Sequence, residues 1–370
     1  VNTVVSHQKE QLQMLKENPR VFIVDIGGSY QKVCENLGGQ YLPLGIDSTI
    51  AFNPFDLPPG ESQPGPAKIK FLVGLVELMT KEDGSSRIPR LDRAEIEAAI
   101  ERVYREEAHP RLSNLRKVLE EHPHPDIRRY GVILKSWCGE TAFGRFFDRE
   151  SSVSLEKSVV AFDLKGMAAY PDLQAVGLYI ITDFVWREVQ KERDRKKLFI
   201  LDEAWAQLKV QAGVDLIEET FRTMRKYNTS AIAISQDIGD FSNSAIAGAI
   251  LPNCSIKWLL LQQQFDPSRM KDALGLNERE IAQVASLHQE KGVFSEAFLM
   301  TQDKRGVVVI ESTPLEYWIA TTDPRDLTAI EKAATARPGA TRLEILRGLA
   351  QKYPHGASGI QVLEKKAGAA

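Results

Sequence analysis

Two adjacent carboxylates, Asp202 and Glu203, end the apolar run Leu198-Phe199-Ile200-Leu201 in the stretch KKLFILDEAWAQL, residues 196–208. A buried strand that runs to an aspartate places this carboxylate at the edge where open α/β sheets bind ligands, while the next side chain points elsewhere. In phosphoryl-transfer sites such an aspartate holds Mg²⁺, directly or through water, and the glutamate orients or deprotonates the attacking water. The alternative is a strand end before a helix N-terminus, where the helix dipole favours acids. The doublet alone leaves both interpretations open.

A glutamine and two arginines fall where such a site would need them. Gln236 ends the next predicted strand, SAIAISQ, and would lie beside Asp202 if the two strands are neighbours. There it could hydrogen-bond the γ-phosphate or the attacking water, although it could equally be an ordinary polar strand end. Arg222 and Arg225 in FRTMRKYN are three residues apart and share one helix face, so they could supply an arginine finger to a neighbouring subunit's nucleotide. Basic residues are also common in the last turn of a helix.

The remaining pattern predicts the elements that position these residues. Nearly continuous apolar strands alternate with helices, which indicates a parallel sheet covered on both faces. The expected strands are 21–25, the start of 40–56, 158–167, 198–203, 230–236 and 254–262. Residues 67–150 read as mainly helical, 291–311 as a hairpin turning at 303–306, and the chain from Pro314 as a helical tail. Val1, Val4, Val5, Leu12 and Leu15 lie near one face of a predicted N-terminal helix.

Composition and charge exclude several classes of protein. The 370 residues are 43% hydrophobic and 26% charged with a net charge of −3, which fits a globular chain without an overall basic field for nucleic acid. The densest basic stretch, RDRKK at 193–197, is interpreted as a solvated helix end. No apolar run reaches the roughly 18 residues of a membrane span. HPHPD at 122–126 is read as a solvated turn rather than a metal site. The cysteines match no zinc spacing and are interpreted as core residues: Cys34, Cys138 and Cys254.

Several segments together resemble one known family. These are IVDIGGSYQKVCENLGGQYLPLG, AFNPFD, VVAFDLKGM, KKLFILDEAW, FRTMRKYNTSAIAISQDIGDF and YWIATTDPRDL. In this order they look like the C-terminal ATPase domain of the TraC-like conjugative-transfer ATPases, the large cytoplasmic ATPases of type IV secretion systems. The resemblance implies a RecA-like P-loop NTPase core of the HerA/FtsK class, with α/β fold, that hydrolyses ATP with Mg²⁺ at the interfaces of a homo-oligomer, with a hexamer expected.

The resemblance also implies a cellular role and partners. It places the protein on the cytoplasmic face of the bacterial inner membrane, peripherally, against inner-membrane channel components of the secretion system. Its ATP hydrolysis would power pilus assembly and substrate transfer, with indirect contact to transferred DNA and its relaxase, or to pilin, also possible. Residue by residue, Asp202 and Glu203 match the Walker B pair, with Asp202 on Mg²⁺, and Gln236 matches the sensor glutamine. Arg222 or Arg225 falls in the arginine-bearing motif.

One departure from the family concerns phosphate binding. The chain contains no G-x-x-x-x-G-K-[ST] loop, whose backbone N–H groups and lysine cradle the phosphates. We therefore expect that the chain starts just after this loop, binds nucleotide poorly by itself and hydrolyses little. The expected domains are a core of residues 1–60 and 151–312, a helical insertion of 61–150 and a helical tail of 313–370. Two other interpretations are a coupling-type motor that translocates DNA and a non-catalytic scaffold of the secretion channel.

Overall fold

The computed structural model describes residues 19–58, 60–81, 88–153, 155–203, 211–236, 248, 250–262 and 265–357. The predicted N-terminal helix, with Val1 to Leu15, lies outside these ranges, and so does the stretch 204–210 that follows the carboxylate doublet. The chain forms two compact units. The first unit consists of the described residues within Val21–Gly28 and Tyr41–Ile234, and the second of those within Val1–Arg20, Ser29–Gln40 and Ser235–Ala370.

A five-stranded sheet forms the centre of the first unit and confirms the prediction of a mostly parallel sheet. Its strands have the order β2-β3-β1-β4-β5, and β1 pairs with β3, and β4 with β5, in parallel. All of β1 and nearly all of β3 and β4 are buried, as expected for strands covered on both faces. The strands are β1 (Arg20–Asp25), β2 (Gln40–Gly45), β3 (Val159–Gly166), β4 (Lys197–Asp202) and β5 (Thr229–Ile234).

The helical segments follow the apolar spacing of the sequence. The interval between β2 and β3 is mainly helical, and two further helices flank β4, as predicted. In the last of these helices, Val214, Ile217 and Phe221 are buried along one face. In chain order, the helices up to β5 are α1 (Gln31–Asn36), α2 (Pro66–Thr80), α3 (Arg90–Glu106), α4 (Leu112–Glu120), α5 (Pro125–Leu134), α6 (Gly144–Phe147), α7 (Pro171–Lys191) and α8 (Gln211–Thr223).

The interpretation of residues 193–197 as a solvated helix end is wrong for its last residue. Lys197 belongs to β4 and is only 2% exposed. Its ammonium group donates hydrogen bonds to the carbonyl oxygens of Glu192 and Arg195, the latter at 2.6 Å. Carbonyl groups beyond the end of α7 attract a cation, so the lysine is buried with its donors satisfied. Arg193 stacks on the ring of Tyr227, 4.8 Å from the ring centre.

The second unit contains an antiparallel sheet, which corrects the prediction for residues 254–262. We expected this segment in the parallel sheet, but β6 pairs in antiparallel orientation with β8. Alternate residues of β6 are exposed, Trp258 by 47% and Leu260 by 37%, so the apolar run covers one face of the sheet and leaves the other accessible. The strands are β6 (Lys257–Leu260), β7 (Gln289–Glu290), β8 (Phe294–Met300) and β9 (Arg305–Glu311).

The predicted hairpin at 291–311 is confirmed as β8 and β9, although its turn lies two residues earlier than expected. The backbone N–H of Thr301 donates to the carbonyl oxygen of Lys304 at 2.8 Å, and the hydroxyl of Thr301 accepts from the N–H of Lys304. This side-chain bond closes the turn before Asp303-Lys304-Arg305-Gly306 would. Phe298 and Met300 of the sheet pack on α9 (Pro267–Leu274) and α10 (Glu278–Ala285).

The predicted helical tail is confirmed as α11 (Pro314–Ala320), α12 (Pro324–Ala336) and α13 (Arg342–Lys352). Val33 of α1 packs into the same core as Trp318 and Leu346 of the tail. Of the three cysteines, Cys34 and Cys138 are buried as expected, whereas Cys254 is only partly buried. The division into domains predicted from the sequence stays a prediction.

Candidate functional site

The carboxylate doublet lies at the C-terminal edge of the parallel sheet. Asp202 is the last residue of β4 and stands in register with Ile234, the last residue of β5. Glu203 follows outside the strand, and its N–H donates to the carbonyl oxygen of Ile234 at 3.0 Å. Both acids are partly exposed, unlike the buried residues before them. The two carboxylates therefore stand at the edge where parallel sheets bind ligands.

The backbone at Glu203 has a left-handed conformation. Its φ is 57°, and among the described non-glycine residues only Asn228 shares a positive φ. A residue with a Cβ pays roughly 1–2 kcal/mol for this conformation, and such strain concentrates at functional sites. The bond to Ile234 holds the strained residue in place, so the chain turns sharply as soon as β4 ends.

Gln236 follows the strand next to β4 in the chain. It stands two residues after Ile234, which pairs with Asp202, so the predicted neighbourhood of the two strands is confirmed. Gln236 itself belongs to the second compact unit, which begins again at Ser235. Its role as a sensor of the phosphate stays a prediction.

The two arginines lie at the end of α8 but are held differently. Arg222 forms an ion pair with Glu218 at 2.7 Å, one turn earlier, and lines a shallow cleft with Lys70, Asp215 and Glu219. Arg225 lies after the helix, in the 3₁₀ turn Met224–Tyr227, so the two do not share an uninterrupted α-helical face. Arg225 forms no ion pair with any residue that the structure describes.

The 3₁₀ turn itself is firmly anchored. Met224 is buried, and the ring of Tyr227 packs edge-on against Trp186 with the ring centres 5.0 Å apart. Asn228 ends the turn in a left-handed conformation, and its side-chain amide donates to the carbonyl oxygen of Asp194 at 2.7 Å. These contacts fix the backbone that presents the exposed side chain of Arg225.

Two further aspartates lie at this edge, and the sequence analysis missed them. Asp25 ends β1, next to β4, and stands in register with Asp163 of β3. Asp25 accepts a hydrogen bond from the N–H of Gly27 at 2.8 Å. Asp163 accepts from the N–H of Lys165 at 2.8 Å and from the hydroxyl of Tyr41 at 2.5 Å. The segments VFIVD and VVAFD carry the same signal as LFILD, an apolar run that ends in aspartate.

The bond of Asp25 gives it a structural role in the turn after β1, whereas Asp163 lies inside β3 and its bond to Lys165 stays within this strand. Each carboxylate accepts from a backbone N–H two residues later, and for Asp25 this is the bond that aspartates form in tight turns. The turn after Asp25 contains Gly28, whose φ of +74° suits glycine. A Cβ at Gly28 would lie 3.0 Å from the side chain of Lys165 and 3.4 Å from that of Asp163. The turn after β1 therefore packs closely against the C-terminal part of β3.

The acids at this edge can be tested for their fit to Mg²⁺. The described residues contain no group of three or more His, Cys, Asp or Glu side chains that could hold a metal by themselves. Mg²⁺ in nucleotide sites is bound through one or two carboxylates, with waters and phosphates as the other ligands. The single carboxylate of Asp202 at the strand end fits this mode, with nucleotide phosphates supplying the remaining oxygens.

The parallel sheet with its helices shares its fold with two solved structures. VirB4 of Thermoanaerobacter pseudethanolicus matches with a TM-score of 0.70 at 22% identity, over 84% of this chain and 86% of that one. The bacterial conjugative coupling protein TrwBdeltaN70 matches with a TM-score of 0.55 at 12% identity, over 84% and 81%. At these identities the likeness concerns the fold alone.

The sequence itself assigns the family. The family model described as the TraG P-loop domain matches residues 5–352, so the chain belongs to this family. Protein TraC of Escherichia coli (strain K12) is 25% identical over 262 residues, which are 65% of this chain and 29% of that protein. Type IV secretion system protein virB4 of Brucella abortus biovar 1 (strain 9-941) is 23% identical over 268 residues, 70% of this chain and 31% of that protein.

These relatives confirm the resemblance to the conjugative and type IV secretion ATPases. The matched part of the chain spans only about a third of the length of these curated relatives. None of the helices in the described ranges is both long and apolar enough to cross a bilayer.

Proposed function

We propose that this chain belongs to the ATPase domain of a type IV secretion or conjugation motor, and that it acts in a homo-oligomer, a hexamer in the whole protein. Without a G-x-x-x-x-G-K-[ST] loop, it binds nucleotide poorly and hydrolyses little by itself. The observation that carries the proposal is the doublet at the end of β4, where Asp202 stands at the sheet edge and Glu203 follows in a left-handed turn. A strand-end aspartate followed by a strained glutamate suits a site that holds a nucleotide and activates water.

Each residue has a stated role in this proposal. Mg²⁺, when bound, neutralises charge on the phosphates of ATP, and Asp202 would hold it directly or through water. Glu203 orients the attacking water and accepts its proton. Gln236 donates a hydrogen bond to the γ-phosphate or the water and is released when the phosphate leaves.

Between the two arginines, the contacts favour Arg225 as the finger that acts on a neighbouring subunit. Arg222 is already paired with Glu218, whereas Arg225 is exposed, makes no ion pair with a described residue and stands on the anchored 3₁₀ turn. An arginine finger must leave its own subunit and reach a partner's phosphates. An uncommitted guanidinium on a rigid support suits this task best.

The hydrolysis step is tested with Glu203→Gln in a protein that carries a phosphate-binding strand and loop ahead of Val1. Loss of the general base is expected to lower phosphate release by about 10²-fold or more, while a fluorescent ATP analogue still binds. Glu107→Gln is the control, because Glu107 is an exposed glutamate at the end of α3. Unchanged turnover in Glu203→Gln would show that Glu203 does not act in the site. If the unmutated protein with the phosphate-binding loop shows no turnover, the interpretation as a non-catalytic scaffold of the secretion channel is favoured.

The same proposal covers the wider role. The motor powers pilus assembly and substrate transfer from the cytoplasmic face of the inner membrane, where it docks on channel components and contacts DNA, relaxase or pilin indirectly. The division into core (1–60 and 151–312), insertion (61–150) and tail (313–370) belongs to this proposal too. The basic stretch 193–197 does not support the alternative of a DNA-translocating motor, because Lys197 is buried and Arg195 forms an ion pair with Glu192 at 3.0 Å.

A further inference from the structure

Among the described residues, the strand β9 is an edge strand of the antiparallel sheet in the second unit. β9 pairs with β8 on one side, and no strand among the described residues pairs with its other side. Its sequence, RGVVVIE, is rich in β-branched residues and has no proline, and its central part carries no charge. Proteins usually protect such edges with lysine, proline or a bulge, because an open edge recruits further strands.

The backbone groups that face the open edge can be identified from the hairpin. Thr301 and Lys304 form the hydrogen-bonded pair that closes the turn. Hydrogen-bonded and non-hydrogen-bonded pairs alternate along an antiparallel ladder, so Gly306, Val308 and Ile310 bond to β8. The N–H and C=O groups of the other residues point outward: Arg305, Val307, Val309 and Glu311.

The side chains of these outward-bonding residues also share one face of the sheet, because they alternate along the strand. Val307 is 38% exposed and Val309 is 56% exposed, and Arg305 and Glu311 are exposed as well. The edge thus offers two apolar side chains in the middle, a cation at one end and an anion at the other.

We propose that β9 pairs in antiparallel orientation with β9 of a second copy of this chain, in a register centred on Val308. This register places Val307 opposite Val309 of the partner subunit. It also places Arg305 opposite Glu311 of the partner subunit, and the two-fold axis repeats both contacts. Every outward-bonding residue then faces another one, and each such pair exchanges two hydrogen bonds.

Charge complementarity selects both the occupant and the register. Registers centred on Val307 or Val309 also satisfy the backbone, but they leave the two charged ends without opposite partners. The strand is therefore self-complementary in one register, which is the requirement for a two-fold interface. Arg305 also lies 3.3 Å from Glu280 of α10, so in the pair it would bridge two carboxylates.

Cross-linking tests the register. Across the two-fold axis, Val308 meets its own copy in a non-hydrogen-bonded pair, with Cα atoms about 4.5 Å apart, within the range of a disulfide. Val308→Cys is therefore expected to form a covalent dimer under mild oxidation, measured on non-reducing gels. The controls are the parent chain, with its own three cysteines, and Val132→Cys, since Val132 is an exposed valine on α5. Cross-linking of Val308→Cys no greater than that of the controls overturns the proposal.

A charge swap tests the partner without a new cysteine. Arg305→Glu and Glu311→Arg are each expected to weaken dimerisation by about tenfold in sedimentation equilibrium, since each places like charges opposite each other twice. The double variant R305E/E311R restores the pairs and the dimer. A double variant no better than the single ones overturns the register. If the parent chain is monomeric, and the backbone amides of β9 are protected from hydrogen exchange only when an extended peptide is added, the proposed pairing between copies is overturned.

Discussion

At the scale of single residues, Glu203 combines two properties that seldom occur together, a glutamate side chain and a left-handed backbone. The neighbouring Asp202 continues the strand normally, so the strain belongs to one residue. Glycine would adopt this φ at no steric cost, so the protein is less stable with glutamate at this position than it would be with glycine. A residue whose side chain is kept despite a strained backbone is expected to be functional.

This strain predicts an unusual order of stabilities. Glu203→Gly is expected to be more stable than Glu203→Ala by about 1 kcal/mol in urea unfolding, because only alanine keeps the Cβ that disfavours a positive φ. The matched control is Glu107, an exposed glutamate with φ of −115°. There Gly should be less stable than Ala. If the alanine variant were more stable than the glycine variant at both positions, 203 and 107, the turn at Glu203 would not be strained.

A second residue-scale feature is the buried cation Lys68 in the first unit. It lies 3.4 Å from Asp183, which also pairs with Arg187 at 3.2 Å, and its ammonium stands over the ring of Phe71. Burial lowers the pKa of Lys68 from 10.5 to about 8, although the Asp183 carboxylate acts in the opposite direction. The charged form of this lysine is therefore less favourable in the folded chain than in the unfolded one.

The sign of the resulting pH dependence follows directly. Between pH 8 and 10.5 the unfolded chain holds more protons than the folded one, so Lys68 makes the free energy of unfolding rise with pH through this window. In Lys68→Met this rise should be smaller by on the order of 2 kcal/mol, measured by urea unfolding at pH 7.5 and 10. Asp183 keeps Arg187 as a partner in this variant. An equal rise in both proteins would contradict burial of the charge.

At the scale of elements, one carboxylate holds the helical tail together. Asp326 of α12 is 1% exposed and accepts hydrogen bonds from the hydroxyls of Tyr317 and Thr321, both at 2.7 Å. It also accepts from the N–H of Ala357 at 2.8 Å, after α13. Burial, together with the bond to Asp326, raises the pKa of Tyr317 to about 12. One side chain thus links α11, α12 and the segment after α13.

Removing this carboxylate should loosen the tail as a unit. Asp326→Ala leaves buried donors without acceptors and is expected to cost about 3 kcal/mol, with Asp326→Asn costing less because it keeps one acceptor oxygen. Thermal unfolding and limited proteolysis between α11 and α13 measure the effect. Asp303→Ala in the exposed turn between β8 and β9 serves as the control and should be neutral. A neutral Asp326→Ala would mean that apolar packing around Trp318 suffices.

At the scale of the whole molecule, the proposed site is complete only when a neighbouring subunit supplies its arginine. Arg225→Ala and Glu203→Gln are each expected to abolish hydrolysis in the protein that carries a phosphate-binding loop. Mixed together they should regain activity, because the intact Glu203 of one subunit meets the intact Arg225 of the other. Arg222→Ala is the matched arginine control and should retain more activity. Mixtures that stay inactive would place the arginine in its own subunit's site.

Much of this architecture was predictable, since local runs of residues carry the information. β1, β3 and β4 are buried on both faces, so their apolar stretches are continuous and their ends are sharp. β6 has a similar run, yet it joins the antiparallel sheet because its partner, β8, lies some 40 residues further along the chain. The spacing of apolar residues predicts that a segment is a buried strand. Which strand it pairs with depends on contacts that are distant in sequence.

The sequence alone determined the parallel sheet and the place of Asp202 and Glu203 at its edge, because burial and chain direction follow from the local pattern. Only the tertiary structure decided that Glu203 turns left-handed, that Lys197 is buried on carbonyl groups and that Asp25 closes the turn after β1 while Asp163 bonds within β3. It also decided that β9 pairs with β8 alone among the strands that the structure describes. These features depend on groups brought together by folding, and no single stretch of the chain contains them.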